Sequence, residues 1–244
     1  MIIQCSGVEL VIPDEKGSVG IMVSGGIDSA ILLYYLMKHC SNTIHIYTTG
    51  SNKKFRRNSI IAPRVVEKCI QLTGNNNVVH HIYYDESATD SSMCIGPQKD
   101  IDNSLINIVY DGTTMNPPYD IAMNLVATVS KTNSDGTVSK HTATPDMSRS
   151  DTGDNIMLYN DDKFYMPWAN TNKKGIAKMY KNAWKWGRHY SSIDANLVDS
   201  LLPVTRSCEW DPTCDYYDVI GTVDPGLLHC GECWWCKEKE WGFN

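Results

Sequence analysis

The apolar run Val19-Gly20-Ile21-Met22-Val23, followed at once by Ser24-Gly25-Gly26-Ile27-Asp28-Ser29, restricts the folds open to this chain more than any other segment. A short continuous apolar run reads as a strand buried on both faces. The glycine pair breaks regular structure and lets the backbone approach whatever binds there. A helix is then expected from Asp28 or Ser29 to about His39, with Ile31, Leu32, Tyr35 and Leu36 on one side. The alternation continues. Residues 43–48 read as a second strand, and a helix starting near Ser59 holds Pro63 in its first turn, where proline is tolerated. Ile61, Val65, Cys69 and Leu72 form its apolar stripe, Gly74 closes it, and residues 78–84 supply a third strand. A β-α-β-α-β series implies a parallel sheet covered by helices on both faces, so the fold class is α/β. Residues 2–3 and 9–12 are expected to form a hairpin ahead of it, around Gly7.

From residue 85 to about 165 the pattern loosens into Ser, Thr, Asn, Asp and Gly, with one helix expected over 119–130. Loops of that length usually bind something. Residues 131–155 read either as a substrate lid or as a disordered stretch. Helical patterns resume over 173–186 and 192–202, the latter stopped by Pro203. The chain therefore divides into a nucleotide-binding α/β domain over 1–170, with an irregular middle at about 85–165, and a helical C-terminal region over 171–244. With 42% hydrophobic residues the 244-residue chain can bury a sizeable core. Its net charge of −6 provides no global field for nucleic acid or an anionic membrane. It lacks the roughly 18 consecutive apolar residues that a membrane span requires, and its N-terminus has no secretory pattern, so a cytoplasmic location is expected.

The Ser-Gly-Gly loop has the makings of an anion site. The helix that follows points its unsatisfied N–H groups and the positive end of its dipole at the loop. Ser24 and Ser29 add hydroxyl donors. Asp28 would repel a phosphate unless a Mg²⁺ ion lay between them. No lysine follows the glycines and there is no three-glycine fingerprint, which sets aside the kinase and dehydrogenase loops. The unit instead resembles the PP-loop of the ATP pyrophosphatases in the adenine nucleotide α-hydrolase group.

Nine cysteines are present, and Cys208, Cys230, Cys233 and Cys236 lie within the final 37 residues. Local clustering in a reducing compartment points to metal rather than to a disulfide framework. Four thiolates close a tetrahedral Zn²⁺ site that would staple the C-terminal segment in place. An iron–sulfur cluster is the other metal such spacing allows, and Cys214 and His229 compete for the fourth position. Trp234-Trp235 read as packing around the metal rather than as a base-stacking platform. Cys5, Cys40, Cys69 and Cys94 read as buried small hydrophobes.

Taken together, Ser24–Ser29, Pro167-Trp168 followed by Lys174 and Ile176, and Ser207-Cys208 with Cys230-Gly231-Glu232-Cys233-Trp234-Trp235-Cys236 resemble the 7-cyano-7-deazaguanine synthase family. The resemblance rests on these three islands. It implies an ATP-dependent ligase that converts 7-carboxy-7-deazaguanine and ammonia to the amide and then the nitrile, on the route to queuosine-type bases. It further implies that Ser24, Gly25, Gly26, Ile27 and Ser29 hold ATP, that Asp28 binds Mg²⁺, and that Lys174 touches the phosphates. Thr48 and Thr49, at the carboxyl end of the second strand, are expected beside the adenosine. The partners implied are small molecules, with no membrane and no nucleic acid, and a homodimer is compatible with the reading. The family's Tyr-Gly-Gln after the second strand is Thr49-Gly50-Ser51 here, its mid-chain Arg-Asn is not evident around residues 111–116, and its Tyr-Pro-Asp-Cys-Arg is matched only in part by residues 144–149. A PP-loop amide ligase or tRNA thiolase with another acceptor, and a zinc-stapled ATP-binding module without turnover, are the alternative readings.

Overall fold

The computed structural model describes residues 2–5, 8–11, 17–50, 58–84, 93–132, 137–181, 197–207, 229 and 231–244. The hairpin β1 (Ile2–Cys5) and β2 (Val8–Val11) precedes β3 (Ser18–Met22), which is buried at Val19 and Ile21 and runs into the Ser-Gly-Gly loop. Next come α1 (Ile27–His39), β4 (Ile44–Gly50), α2 (Asn58–Thr73) and β5 (Val78–Tyr84), in the alternation expected from the sequence. Then α3 (Ile95–Asp102) leads to β6 (Ile106–Tyr110) on the other side of β3. α4 (Tyr119–Leu125) follows, then the hairpin β7 (Ala127–Thr132) and β8 (Val138–Ala143), and the short strands β9 (Leu158–Tyr159) and β10 (Phe164–Tyr165). The chain ends in α5 (Lys173–Tyr180), α6 (Leu197–Ser200) and α7 (Trp234–Phe243).

The main sheet has six strands in the order β5-β4-β3-β6-β10-β9, with every neighbouring pair parallel except β9 against β10. The fold is α/β and Rossmann-like. The strand order reverses direction between β3 and β6, and in such sheets the crevice beyond the carboxyl ends of the strands at that reversal is where ligands bind. Both the Ser-Gly-Gly loop after β3 and residues 111–114 after β6 open onto it.

Alternation along β4 separates the two faces. Ile44 and Ile46 enter the main core with α1, α2 and α5, whereas Tyr47 joins Ile106, Val109 and Phe164, against which Ile101 of α3 packs. α1 was expected to bury one side only, but Ile27 and residues 30–37 are all buried. It lies between α2 and α5, and a helix enclosed on several sides has no solvent stripe to keep polar. Tyr180 of α5 donates to the carbonyl of Ile27 at 2.9 Å, and Ile176, Met179, Leu197 and Leu201 belong to the same core as the first half of the chain.

The middle of the chain is more regular than its composition suggests. The helix expected over 119–130 stops at Leu125, because Val126 turns extended and residues 127–132 pair with 138–143. β-Branched Thr128, Val129 and Thr132 favour the strand, and Thr128 and Thr142 share a cross-strand hydroxyl bond of 2.8 Å. After β8, residues 144–155 fold back onto the sheet end. Asn116 Nδ2 donates to the carbonyls of Asp146 and Arg149 at 2.9 and 2.8 Å, and its backbone N–H donates to Ser150. The helix expected over 173–186 is helical to Tyr180, and that expected over 192–202 is described only as α6 and a 3₁₀ turn at Leu202–Val204; their remaining residues lie largely outside the described set. Among the described residues no helix is long and apolar enough to cross a membrane.

Candidate active site

Gly25 sits at φ +85°, in the left-handed region, and a Cβ there would meet Ile61 Cγ2 at 2.7 Å and the Ala62 nitrogen at 3.0 Å. Only glycine lets the loop turn this tightly against α2. The turn is held by the Gly26 N–H on Ser24 Oγ at 3.3 Å, by Ser29 Oγ on the Gly26 carbonyl at 3.3 Å, and by a 3.4 Å contact between the two serine hydroxyls. From the far end of the chain, the Arg206 N–H donates to the Gly25 carbonyl at 2.9 Å, and the Ile27 N–H donates to Ser207 Oγ at 3.3 Å. Ser207, noticed in the sequence only as the neighbour of Cys208, thus anchors the C-terminal segment on the loop.

Beyond the loop lies a cleft of about 350 Å³, lined by Ser24, Gly26, Asp28 and Ser29 on one side and by Asp111, Gly112, Thr113 and Thr114 on the other. Gly112 lets the two strand ends meet, since a Cβ there would lie 2.9 Å from the Ser29 nitrogen and 3.1 Å from the Asp28 carbonyl carbon. The floor holds a buried charge network. Lys173, only 4% exposed, pairs with Asp28 Oδ2, donates to Thr114 Oγ1 at 3.2 Å and lies 3.9 Å from Glu238 Oε2. Arg149 bonds Glu238 Oε1 at 2.9 Å, Asn116 Oδ1 at 2.6 Å and Thr114 Oγ1 at 3.1 Å, with its guanidinium 5.2 Å from the centre of the Trp234 ring.

Burial pushes the Glu238 carboxyl above its ordinary range, while Lys173 and Arg149 pull it back down. Asp111 is likewise raised by burial, with the opposing pull of Thr113, whose N–H and hydroxyl donate to Oδ1 at 3.0 and 2.9 Å; the Asp28 charge adds to the rise. Among the described residues Asp28 Oδ1 is buried without a hydrogen-bond partner. Asp28 in the first turn of α1 and Asp111 just past β6 both line the cleft, and carboxylate oxygens are the donors that a hard divalent cation takes.

The residues singled out in the sequence divide accordingly. Ser24, Gly26, Asp28 and Ser29 line the cleft, while Gly25 and Ile27 shape the loop behind them, with Ile27 fully buried. Thr49 lines the cleft, but Thr48 lies on the opposite face of β4, fully buried, its hydroxyl 2.8 Å from the Val23 carbonyl and 2.9 Å from His80 Nε2. Lys174 is exposed, with Nζ 5.1 Å from the centre of the Trp241 ring, so the lysine that reaches the loop is its neighbour Lys173. A helix turns by about 100° per residue, and only one of two adjacent positions can face the cleft. Cys233 and Cys236 are buried at the start of α7, whereas Cys208, Cys230 and Cys214 lie outside the described residues. His229 is half-buried. Of the tryptophan pair, Trp234 is fully buried beneath Arg149 and Trp235 lines the cleft.

Sequence reasoning did not single out Asp111, Thr113, Thr114, Lys173, Arg206 or Glu238 as site residues. The rule that ligands gather where strand order reverses would have found the first three, had β6 been recognised as a strand. Glu238 carries no signal of its own in a charged stretch of helix.

Residues 14–78, which carry the loop, α1, β4 and α2, match the sequence model of the asparagine synthase family, a family of the ATP pyrophosphatase type. Among curated proteins no significant match is found. The family match supports ATP-dependent carbon–nitrogen ligase chemistry.

Proposed function

We propose that this chain is an ATP-dependent ligase that adenylates the carboxylate of 7-carboxy-7-deazaguanine and passes it to ammonia, yielding the amide and then the nitrile. The reading is carried by one observation. A glycine-rich loop at a helix N-terminus, two carboxylates (Asp28 and Asp111) and three cations (Lys173 and Arg206 buried, Arg149 half-buried) line a single cleft at the switch point of the sheet.

Ser24, Gly25, Gly26, Ile27 and Ser29 hold the β- and γ-phosphates of ATP with backbone N–H groups and hydroxyls. Asp28 and Asp111 are the residues that would hold Mg²⁺, which when bound neutralises charge on the phosphates. Lys173 takes the phosphate-facing role expected of Lys174. A carboxylate oxygen of the substrate attacks the α-phosphorus and pyrophosphate leaves; ammonia then attacks the acyl carbon and AMP leaves with the former carboxylate oxygen. For the nitrile, the amide oxygen attacks the α-phosphorus of a second ATP, pyrophosphate leaves, and loss of two protons from nitrogen expels AMP with the former amide oxygen. Much of the acceleration comes from holding these groups in line and compensating the developing charge.

Asp146 and Arg149 line the same cleft, which supports the deazaguanine assignment. A guanine-like base offers N–H donors along one edge, suited to a carboxylate such as Asp146, and its carboxylate substituent suits a guanidinium. Cys208, Cys230, Cys233 and Cys236 would hold Zn²⁺ as a staple. Cys233 and Cys236 begin the helix that carries Glu238 to the cleft, so an ion there would fix that helix.

The test is to incubate purified protein with ATP, Mg²⁺, ammonium and 7-carboxy-7-deazaguanine and to follow the products by mass spectrometry. Amide and nitrile are expected together with AMP. If neither forms while another carboxylate provokes AMP release, the substrate is a different one and only the ligase class stands. Asp28→Ala should abolish AMP release while leaving the circular dichroism spectrum unchanged.

A further inference from the structure

The face of β4 that turns away from α1 carries a second cluster of chemistry-bearing side chains. In the parallel pairing of β4 with β5, Tyr47 lies opposite His81 and His45 opposite Val79. His45 and His81 therefore share one face, offset diagonally. Their ring planes are within 12° of parallel with centroids 5.3 Å apart, and His45 Nδ1 and His81 Nε2 are 3.1 Å apart. From α3, Asp100 brings a carboxylate oxygen to within 4.8 Å of a ring nitrogen of each histidine. Tyr47 donates to Asp100 Oδ2 at 2.6 Å and so fixes that carboxylate over the histidines.

We propose that His45 Nδ1, His81 Nε2 and the Asp100 carboxylate bind a transition-metal dication of the Zn²⁺ class, which clips α3 to the sheet beside the cleft. Two nitrogens 3.1 Å apart, each about 2.05 Å from one ion, subtend roughly 100° at it, close to a tetrahedral angle. The carboxylate completes the third corner by a small swing of the Asp100 side chain, and water fills the fourth. Two imidazoles and one carboxylate suit Zn²⁺, Co²⁺ or Ni²⁺ and are too nitrogen-rich for Mg²⁺ or Ca²⁺. The hydroxyl of Tyr47 is the kind of outer partner that orients a ligating carboxylate. His45 is buried while His81 and Asp100 are half-buried, so the ligands are held on one side and open to entry on the other.

The site uses none of the terminal cysteines and neither of the two cleft aspartates. It bears on the cleft through Tyr47 and through Met93, just ahead of α3, both of which line it.

The test uses the full chain, stripped with a chelator and titrated with ZnCl₂ while the histidine side-chain ¹⁵N resonances are followed. The Nδ1 signal of His45 and the Nε2 signal of His81 are expected to move to metal-bound positions. Asp100→Asn should weaken this uptake at least about tenfold, and His81→Phe, which keeps a flat ring, should lower the total bound metal by one equivalent. Co²⁺ loaded here would show visible bands without the thiolate charge-transfer absorption of a cysteine site. If saturating Zn²⁺ leaves both histidine signals in place, or if wild type and His81→Phe retain equal metal, the proposal is overturned. The resonance measurement on the wild type decides the matter even where a variant fails to fold.

Discussion

Replacing Lys173 with methionine keeps the aliphatic stem and removes the charge that holds the cleft floor together. Lys173 is 4% exposed and serves Asp28, Thr114 and, at 3.9 Å, Glu238. Without it, among the described residues, the Asp28 carboxylate loses its cation and Glu238 keeps only Arg149. Removing one partner of a buried pair costs about 3–5 kcal/mol, because the other charge is stranded away from water. The Asp28 side chain retains 21% exposure and recovers some hydration, which places the cost near the lower end, about 3 kcal/mol. With a urea dependence of roughly 3 kcal/mol per molar for a chain of this size, the unfolding midpoint should fall by about 1 M. Lys174→Met is the contrast. It gives up an exposed contact with Trp241, worth below about 1 kcal/mol, and should move the midpoint by less than about 0.3 M.

The deficit should also depend on pH. Glu238 titrates above its ordinary value when folded, so the folded state binds more protons than the unfolded one. Its contribution is then fully present below the unfolded value of about 4.3 and is lost as pH rises through the folded value. Deleting Lys173 removes a charge that lowers Glu238 and pushes the folded value higher still. Lys173→Met should therefore lie closer to wild type at pH 5 than at pH 7.5. Equal midpoint shifts for the two lysine variants, or a Lys173→Met deficit that grows as pH falls, would refute this account of the cleft floor.

Gly112→Ala forces a methyl against the Ser29 nitrogen at 2.9 Å, and because the neighbour is backbone the loop must shift; ATP affinity measured by calorimetry should drop at least about tenfold. Arg149→Lys cannot reproduce the fork that reaches Glu238, Asn116 and Thr114 together, and a loss of at least about 2 kcal/mol is expected from chemical denaturation. Tyr180→Phe deletes the 2.9 Å bond to the Ile27 carbonyl, for about 1 kcal/mol, or a thermal midpoint lower by about 2–4 °C in a scanning calorimeter.

How much of this was legible in the sequence depends on how local the signal is. The first half of the sheet announces itself because each strand and helix carries its own period, and the Ser-Gly-Gly loop is punctuated by residues that only a tight turn requires. Past residue 85 the strands are short or solvent-facing. β10 has two residues, and Ala127–Thr132 lacks the continuous apolar run that marks β3. The cleft floor was less legible still. Lys173 and Lys174 are indistinguishable until the phase of α5 against the sheet is known, and Glu238 acquires its role only when α7 brings it beneath Arg149. His45 and His81 are 36 positions apart and meet only through the register of β4 on β5. Such sites are products of topology, and no window of sequence contains them.

The central claim is that this cleft cleaves ATP at the α-phosphorus to activate a carboxylate. Its most direct test is a single turnover with ¹⁸O-labelled carboxylate substrate, ATP, Mg²⁺ and ammonium, analysed for nucleotide products and isotope position. The account predicts AMP and pyrophosphate, with one ¹⁸O carried into the AMP phosphate. ADP with labelled orthophosphate, or AMP without the label, would contradict it.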